Sequence, residues 1–159
     1  MLIRWLFAAV HLLALGIGLG AVWGRARALG GLRPAEGAAV DAVGLRRVFY
    51  ADNWWAVAAV VWIGTGLVRA FGGLEKGSVY YLHNTWFLAK MACLAAILVL
   101  EVRPMVTLIR WRALVAKGAQ PMTSSAKTLA DISTIQAVLI VVMVLLATAM
   151  ARGVGFRAL

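Results

Sequence analysis

LADISTIQAVLIVVMVLLATAMA, Leu129 to Ala151, decides the fold class. At 1.5 Å per residue a helix of this length covers roughly 34 Å, enough to cross the hydrocarbon of a bilayer. Apolar residues do not alternate with period two, so a membrane strand is excluded. In lipid a helix satisfies its own backbone hydrogen bonds. The run is entered through Asp131, Ser133 and Thr134.

Three further runs of the same kind precede it. They are Ile3 to Gly24, Trp54 to Phe71 and Val79 to Leu100. Trp54-Trp55 and Tyr80-Tyr81 sit where an aromatic belt is expected. Between the first two lies a loop with Gly30-Gly31, Pro34 and Gly37, holding a short interfacial helix over Ala38 to Tyr50. Asp52 and Asn53 are read as the cap of the second span. The third run meets Glu101, Arg103 and Pro104. Helix is expected to continue past the proline to Trp111, kinked there. A polar loop from Arg112 to Lys127 follows. The expected fold is all-α, one transmembrane four-helix domain over 1–159, with spans at about 3–24, 54–71, 79–101 and 129–151.

Composition agrees. Hydrophobic residues make up 64% and mean hydropathy is +0.90, beyond what a soluble core of this size can hide. The formal charge is +10, from 16 Lys and Arg against 6 Asp and Glu. These cations cluster between apolar runs, which points to topology and lipid headgroups and not to nucleic acid. Arg25, Arg27, Arg33, Arg46, Arg47, Arg103, Arg110, Arg112, Lys117 and Lys127 give ten on one side. Arg4, Arg69, Lys76, Arg152 and Arg157 give five on the other. The positive-inside rule then places both termini outside the cytoplasm of a multi-pass inner (plasma) membrane protein. The single cysteine, Cys93, allows no intrachain disulfide. The first run is read as a retained helix and not a signal peptide.

Inside the spans a few residues stand out. Gly16, Gly20 and Gly24 form a small-residue stripe, expected to pack inside the bundle, with dimerisation as a second use. The two histidines, His11 and His83, fall at similar depth if helices one and three are parallel neighbours. That arrangement suits a bis-imidazole haem site, another metal such as copper in its place, or two histidines that each make an ordinary interhelical hydrogen bond or sit at the interface. Lys90 and Glu101 follow His83 on the same helical face. Lys90 is expected near mid-membrane, facing the interior and holding an anion. Glu101 is expected at a helix end near Arg103. Trp86 and Phe87 flank His83 and suit either a flat ring or simple core packing. Thr65, Gln136 and Thr148 offer hydrogen bonds across helices. No catalytic triad, phosphate loop, HExxH or CxxC is present.

Two stretches carry a resemblance: His11-Leu-Leu-Ala-Leu-Gly with the later Ala51-Asp-Asn-Trp-Trp, and Tyr81-Leu-His83-Asn-Thr-Trp-Phe-Leu-Ala-Lys90 running to Glu101-Val-Arg-Pro104. Together they resemble a bacterial family of four-helix predicted membrane proteins, a domain of unknown function. More distantly the chain is similar to HemJ-type protoporphyrinogen oxidases and CopD-type copper-resistance proteins. That likeness implies haem b, with His11 and His83 as metal ligands, and an oxidoreductase of the HemJ kind. The chain departs from the HemJ pattern at Thr85, where a lysine is expected, and in lacking a further histidine late in the first helix. The expectation is a haem b protein for electron transfer or porphyrin oxidation, with His11, His83, Lys90 and Trp86 around the cofactor. Lys90 is placed against a propionate or an anionic substrate. A porphyrin or redox partner follows, as does homo-oligomerisation through Gly16, Gly20 and Gly24. The rivals are a cofactor-free accessory or packing subunit, and a small transporter or copper-handling protein using the stripe His83–Lys90–Glu101.

Overall fold

A computed structural model describes residues 1–32, 41–72 and 84–152. The protein is an all-α bundle of four helices: α1 (Leu2–Gly30), α2 (Ala42–Phe71), α3 (Thr85–Ala116) and α4 (Ala126–Ala151). Each is long and apolar enough to cross a membrane. At 26 to 32 residues they run roughly 39 to 48 Å, longer than the roughly 30 Å of hydrocarbon.

The helix ends differ from those expected. α2 begins a full ten residues before Asp52. Its cap is Asp41, whose Oδ1 accepts from the amides of Val43 at 3.1 Å and Gly44 at 2.9 Å. A Cβ on Gly44 would fall 2.6 Å from Asp41 Oδ2 and 2.8 Å from Leu32, so a larger residue there would displace the capping carboxylate or Leu32. The expected interfacial helix over 38–50 is, from Ala42 on, the first part of α2. Asp52 and Asn53 are therefore mid-helix residues. α3 starts at Thr85, capped by Asn84, and runs through a buried Pro104 to Ala116. It stops in a Schellman arrangement: the Ala119 amide reaches Leu114 O, the Gly118 amide reaches Val115 O, and Gly118 takes φ +71.

α1 packs along α2 and α4, and α3 packs along α4. Contacts of Gly18 with Ala58, and of Gly24 with Ala51, show that α1 and α2 run antiparallel. His11 and Lys90 line one cavity while Arg25 pairs with Glu101 farther along both helices, so α1 and α3 run in the same direction, as expected. They are not packed side by side: they face each other across the interior and meet through long side chains. The glycine stripe is also corrected. Among the described residues nothing lies within 4 Å of a Cβ built on Gly16 or Gly20, and Gly24 meets only Ala51 at 3.9 Å. The glycine that closes the α1–α2 interface is Gly18, against Trp55 and Ala58.

Large apolar side chains cover the outside, including Val60 and Val99, each 73% exposed. In water each would forgo about 1.5–3 kcal/mol of burial, which lipid contact removes. Inside, two apolar clusters are stacked along the bundle. One holds Ala14, Val22, Trp55, Ile97, Ile140 and Met143. The other holds Leu29, Leu45, Val48, Leu108, Trp111 and Leu129. In every helix, polar residues separate the two.

Candidate functional site

The separating layer is centred on Arg25, which is fully buried. The guanidinium has five N–H donors, and five hydrogen bonds leave it. Nε donates to Ser133 Oγ at 3.1 Å. Nη1 donates to Asp52 Oδ1 at 2.8 Å and to Glu101 Oε1 at 2.7 Å. Nη2 donates to Glu101 Oε2 at 2.7 Å and to Gln136 Oε1 at 2.9 Å. The Glu101 pairing is the bidentate fork that guanidinium geometry favours. Gln136 Nε2 then donates to Glu101 Oε2 and to Ile97 O.

A second arginine closes the charge balance. Arg112 donates to Asp52 Oδ2 at 2.8 Å, to Asn53 Oδ1 and to Phe49 O, with its guanidinium over the Phe49 ring. Charges alternate along Glu101, Arg25, Asp52 and Arg112. Two cations meet two anions, and every helix contributes. Glu101 was expected beside Arg103 at a helix end; instead it lies midway along α3 and pairs with α1. Arg25 was counted with loop charges, yet it is the most buried polar side chain in a helix that continues past it. The signal was present: Ala14, Gly18, Val22, Arg25 and Leu29 recur every three or four residues on one face, all buried.

The other polar region is a cavity of about 440 Å³, where α1 begins and α4 finishes. Its walls are largely apolar, from all four helices. Polar groups come from His11, Arg69, Lys90 and Thr148. His11 Nδ1 lies 3.0 Å from Thr65 Oγ1. Gly66 sits so near that a Cβ there would meet His11 Cε1 at 3.1 Å, and Trp62 lies tilted 36° to the imidazole with centroids 6.2 Å apart. Lys90 is the sixth residue of α3, roughly 8 Å along it. It is therefore nearer the helix start than the middle of the span, and it lines the cavity. Arg69, counted from sequence only as a topology signal, joins it there.

The remaining expected residues divide. His83 lies outside the described residues. Trp86 does not line the cavity, whereas its neighbour Phe87 does. Asn84 Nδ2 and Trp86 Nε1 are buried without a hydrogen-bond partner among the described residues. Thr148 bonds its own helix at Leu145 O and not a neighbouring one. Glu101 is separated from Lys90 by the apolar layer of Ile97, Ile140 and Met143. The stripe read from sequence is thus split between two sites. Among the described residues, no three of His, Cys, Asp or Glu gather to hold a metal ion.

A family described as predicted membrane protein (DUF2214) matches residues 3–155. No curated protein and no solved structure matches the chain. The likeness to HemJ- and CopD-type proteins gains no support from these comparisons.

Proposed function

The chain belongs to this family of predicted membrane proteins, and we propose that its activity resides in the His11 cavity, and that this cavity holds haem b. The observation that carries the reading is one imidazole, oriented through Nδ1, in an apolar cavity that also presents Lys90 and Arg69. A tetrapyrrole asks for those three things: a ligating nitrogen, apolar walls and cations for its carboxylates. About 440 Å³ falls within the ordinary range for ligand pockets. Bound haem supplies a one-electron iron couple. His11 contributes a ring nitrogen to the cavity. Lys90 and Arg69 offset acid groups in a region of low dielectric. Val144 and Leu94 are among the cavity's apolar walls. His83 is the second ligand in this reading, and electron transfer or porphyrin oxidation with a redox or porphyrin partner is the role.

Purified protein in detergent, reconstituted with haem if colourless, is expected to show a Soret band that sharpens on dithionite reduction and is lost in His11→Ala. A protein that stays colourless after reconstitution ends this reading. Within the same proposal the chain sits in a bacterial inner membrane with both termini outside the cytoplasm. A cysteine placed at Lys117 then labels only from the cytoplasmic side. The glycine stripe, facing lipid at Gly16 and Gly20, is a self-association face; Gly16→Leu should abolish any detergent-resistant dimer.

A second reading, a cofactor-free packing subunit, is favoured by the self-satisfied Arg25 layer. Under it, His11→Ala changes neither colour nor partner binding.

A further inference from the structure

Thr65 carries one hydroxyl hydrogen. Its Oγ1 lies 2.7 Å from Val61 O and 3.1 Å from Trp62 O, the back-bonding that threonine makes within a helix. With that hydrogen engaged on α2, Oγ1 meets His11 as an acceptor, so His11 Nδ1 must carry the proton that fills the 3.0 Å contact. The ring's lone pair then belongs to Nε2. Gly66, the next residue of α2, lets the imidazole lie close enough for this bond, since a Cβ there would stand 3.1 Å from Cε1. Trp62, one turn earlier, limits the ring's tilt from the other side.

We infer that Thr65 is a positioning residue, fixing His11 as the Nδ1–H tautomer with the ring's lone pair on Nε2. The inference rests on the reading of His11 as the cavity's ligating side chain, but it concerns the protein before anything binds. Ligating histidines are commonly oriented through the ring nitrogen that does not ligate. Here the orienting oxygen comes from a neighbouring helix, so packing of α1 on α2 sets the tautomer.

The test is ¹⁵N NMR of the imidazoles in haem-free protein in detergent, in a His83→Gln background that leaves one histidine. Spectra are taken at about pH 8.5, some two units above the ordinary imidazole pKa. Nδ1–H is expected to predominate by at least about fivefold, the bias of one hydrogen bond. Thr65→Ser should keep that bias, and Thr65→Val should erase it. Wild-type protein in the Nε2–H form, or the same ratio in Thr65→Val as in wild type, overturns the inference. Haem binding is read separately by absorbance. A protein that shows the tautomer bias but takes up no haem loses the haem reading and keeps this one. Where haem does bind, Thr65→Val should shift the iron midpoint potential upward, because the lost hydrogen bond makes His11 a less basic ligand.

Discussion

Arg25 and His11 sit on the same helix, fourteen residues or roughly 21 Å apart, and they are provided for in opposite ways. Around Arg25 all five donors are consumed by four neighbours, and the charges sum to zero. Around His11 one nitrogen is held by Thr65, two cations line the same walls, and about 440 Å³ of space remains. A closed, neutral network has nothing left to offer a ligand. An apolar cavity edged with an imidazole and two cationic side chains has the groups a ligand can meet. The contrast teaches that the most polar place in a membrane bundle need not be its working place.

If that contrast is right, substitutions at the two levels separate stability from binding. The largest effect belongs to Arg25→Met. It strands Glu101 and Asp52 without their shared cation, at a cost of about 3–5 kcal/mol. Thermal or SDS unfolding in detergent should show most of the protein unfolded under mild conditions. Arg25→Met with Glu101→Met should recover part of that loss, since replacing a buried pair with apolar side chains is often near neutral. A double variant no better than the single would mean that the fork to Glu101 is not the dominant partner. Next, Glu101→Gln keeps the shape and removes one charge, with an expected loss of about 2–3 kcal/mol by the same unfolding assay and no change in ligand binding. At the cavity end the pattern reverses. Lys90→Met should leave unfolding within about 1 kcal/mol of wild type while weakening haem or free porphyrin binding about tenfold, consistent with one lost charge-assisted contact of roughly 1.5 kcal/mol. Equal loss of stability and binding in Lys90→Met would erase the distinction between the two regions. The smallest effect is expected for Lys127→Ala. Its exposed i,i+4 pair with Asp131 should contribute no more than about 0.5 kcal/mol and nothing to binding.

The four spans were legible because hydrophobic length is a direct consequence of bilayer thickness, as in Leu129–Ala151. Their ends were not. Arg25-Ala26-Arg27 reads as the charged stop of a span, yet Arg25 turns inward with Val22 and Leu29 while Arg27 is exposed. The difference is made by Asp52 and Glu101, 27 and 76 residues away, which no local pattern can pair with it. Asp52-Asn53 before Trp54-Trp55 reads as a cap for a comparable reason: the apolar count begins there, although the helix begins at the Asp41 cap. At the cavity, His11 and Lys90 were found because ionisable groups in a span are costly and therefore conspicuous. Their neighbours were harder. Thr65 was seen as able to bond across helices, but its partner depended on the antiparallel register of α1 and α2. Arg69 was passed over because a cation near a span end normally signals orientation alone.

The central claim is that ligand binding lives at His11 and not at the Arg25 layer. Titrating haem into purified protein and following the Soret band decides it. The expected result is saturable binding in wild type, its loss in His11→Ala, and its persistence in Glu101→Gln. Binding that survives His11→Ala unchanged, or is absent from wild type, contradicts the account.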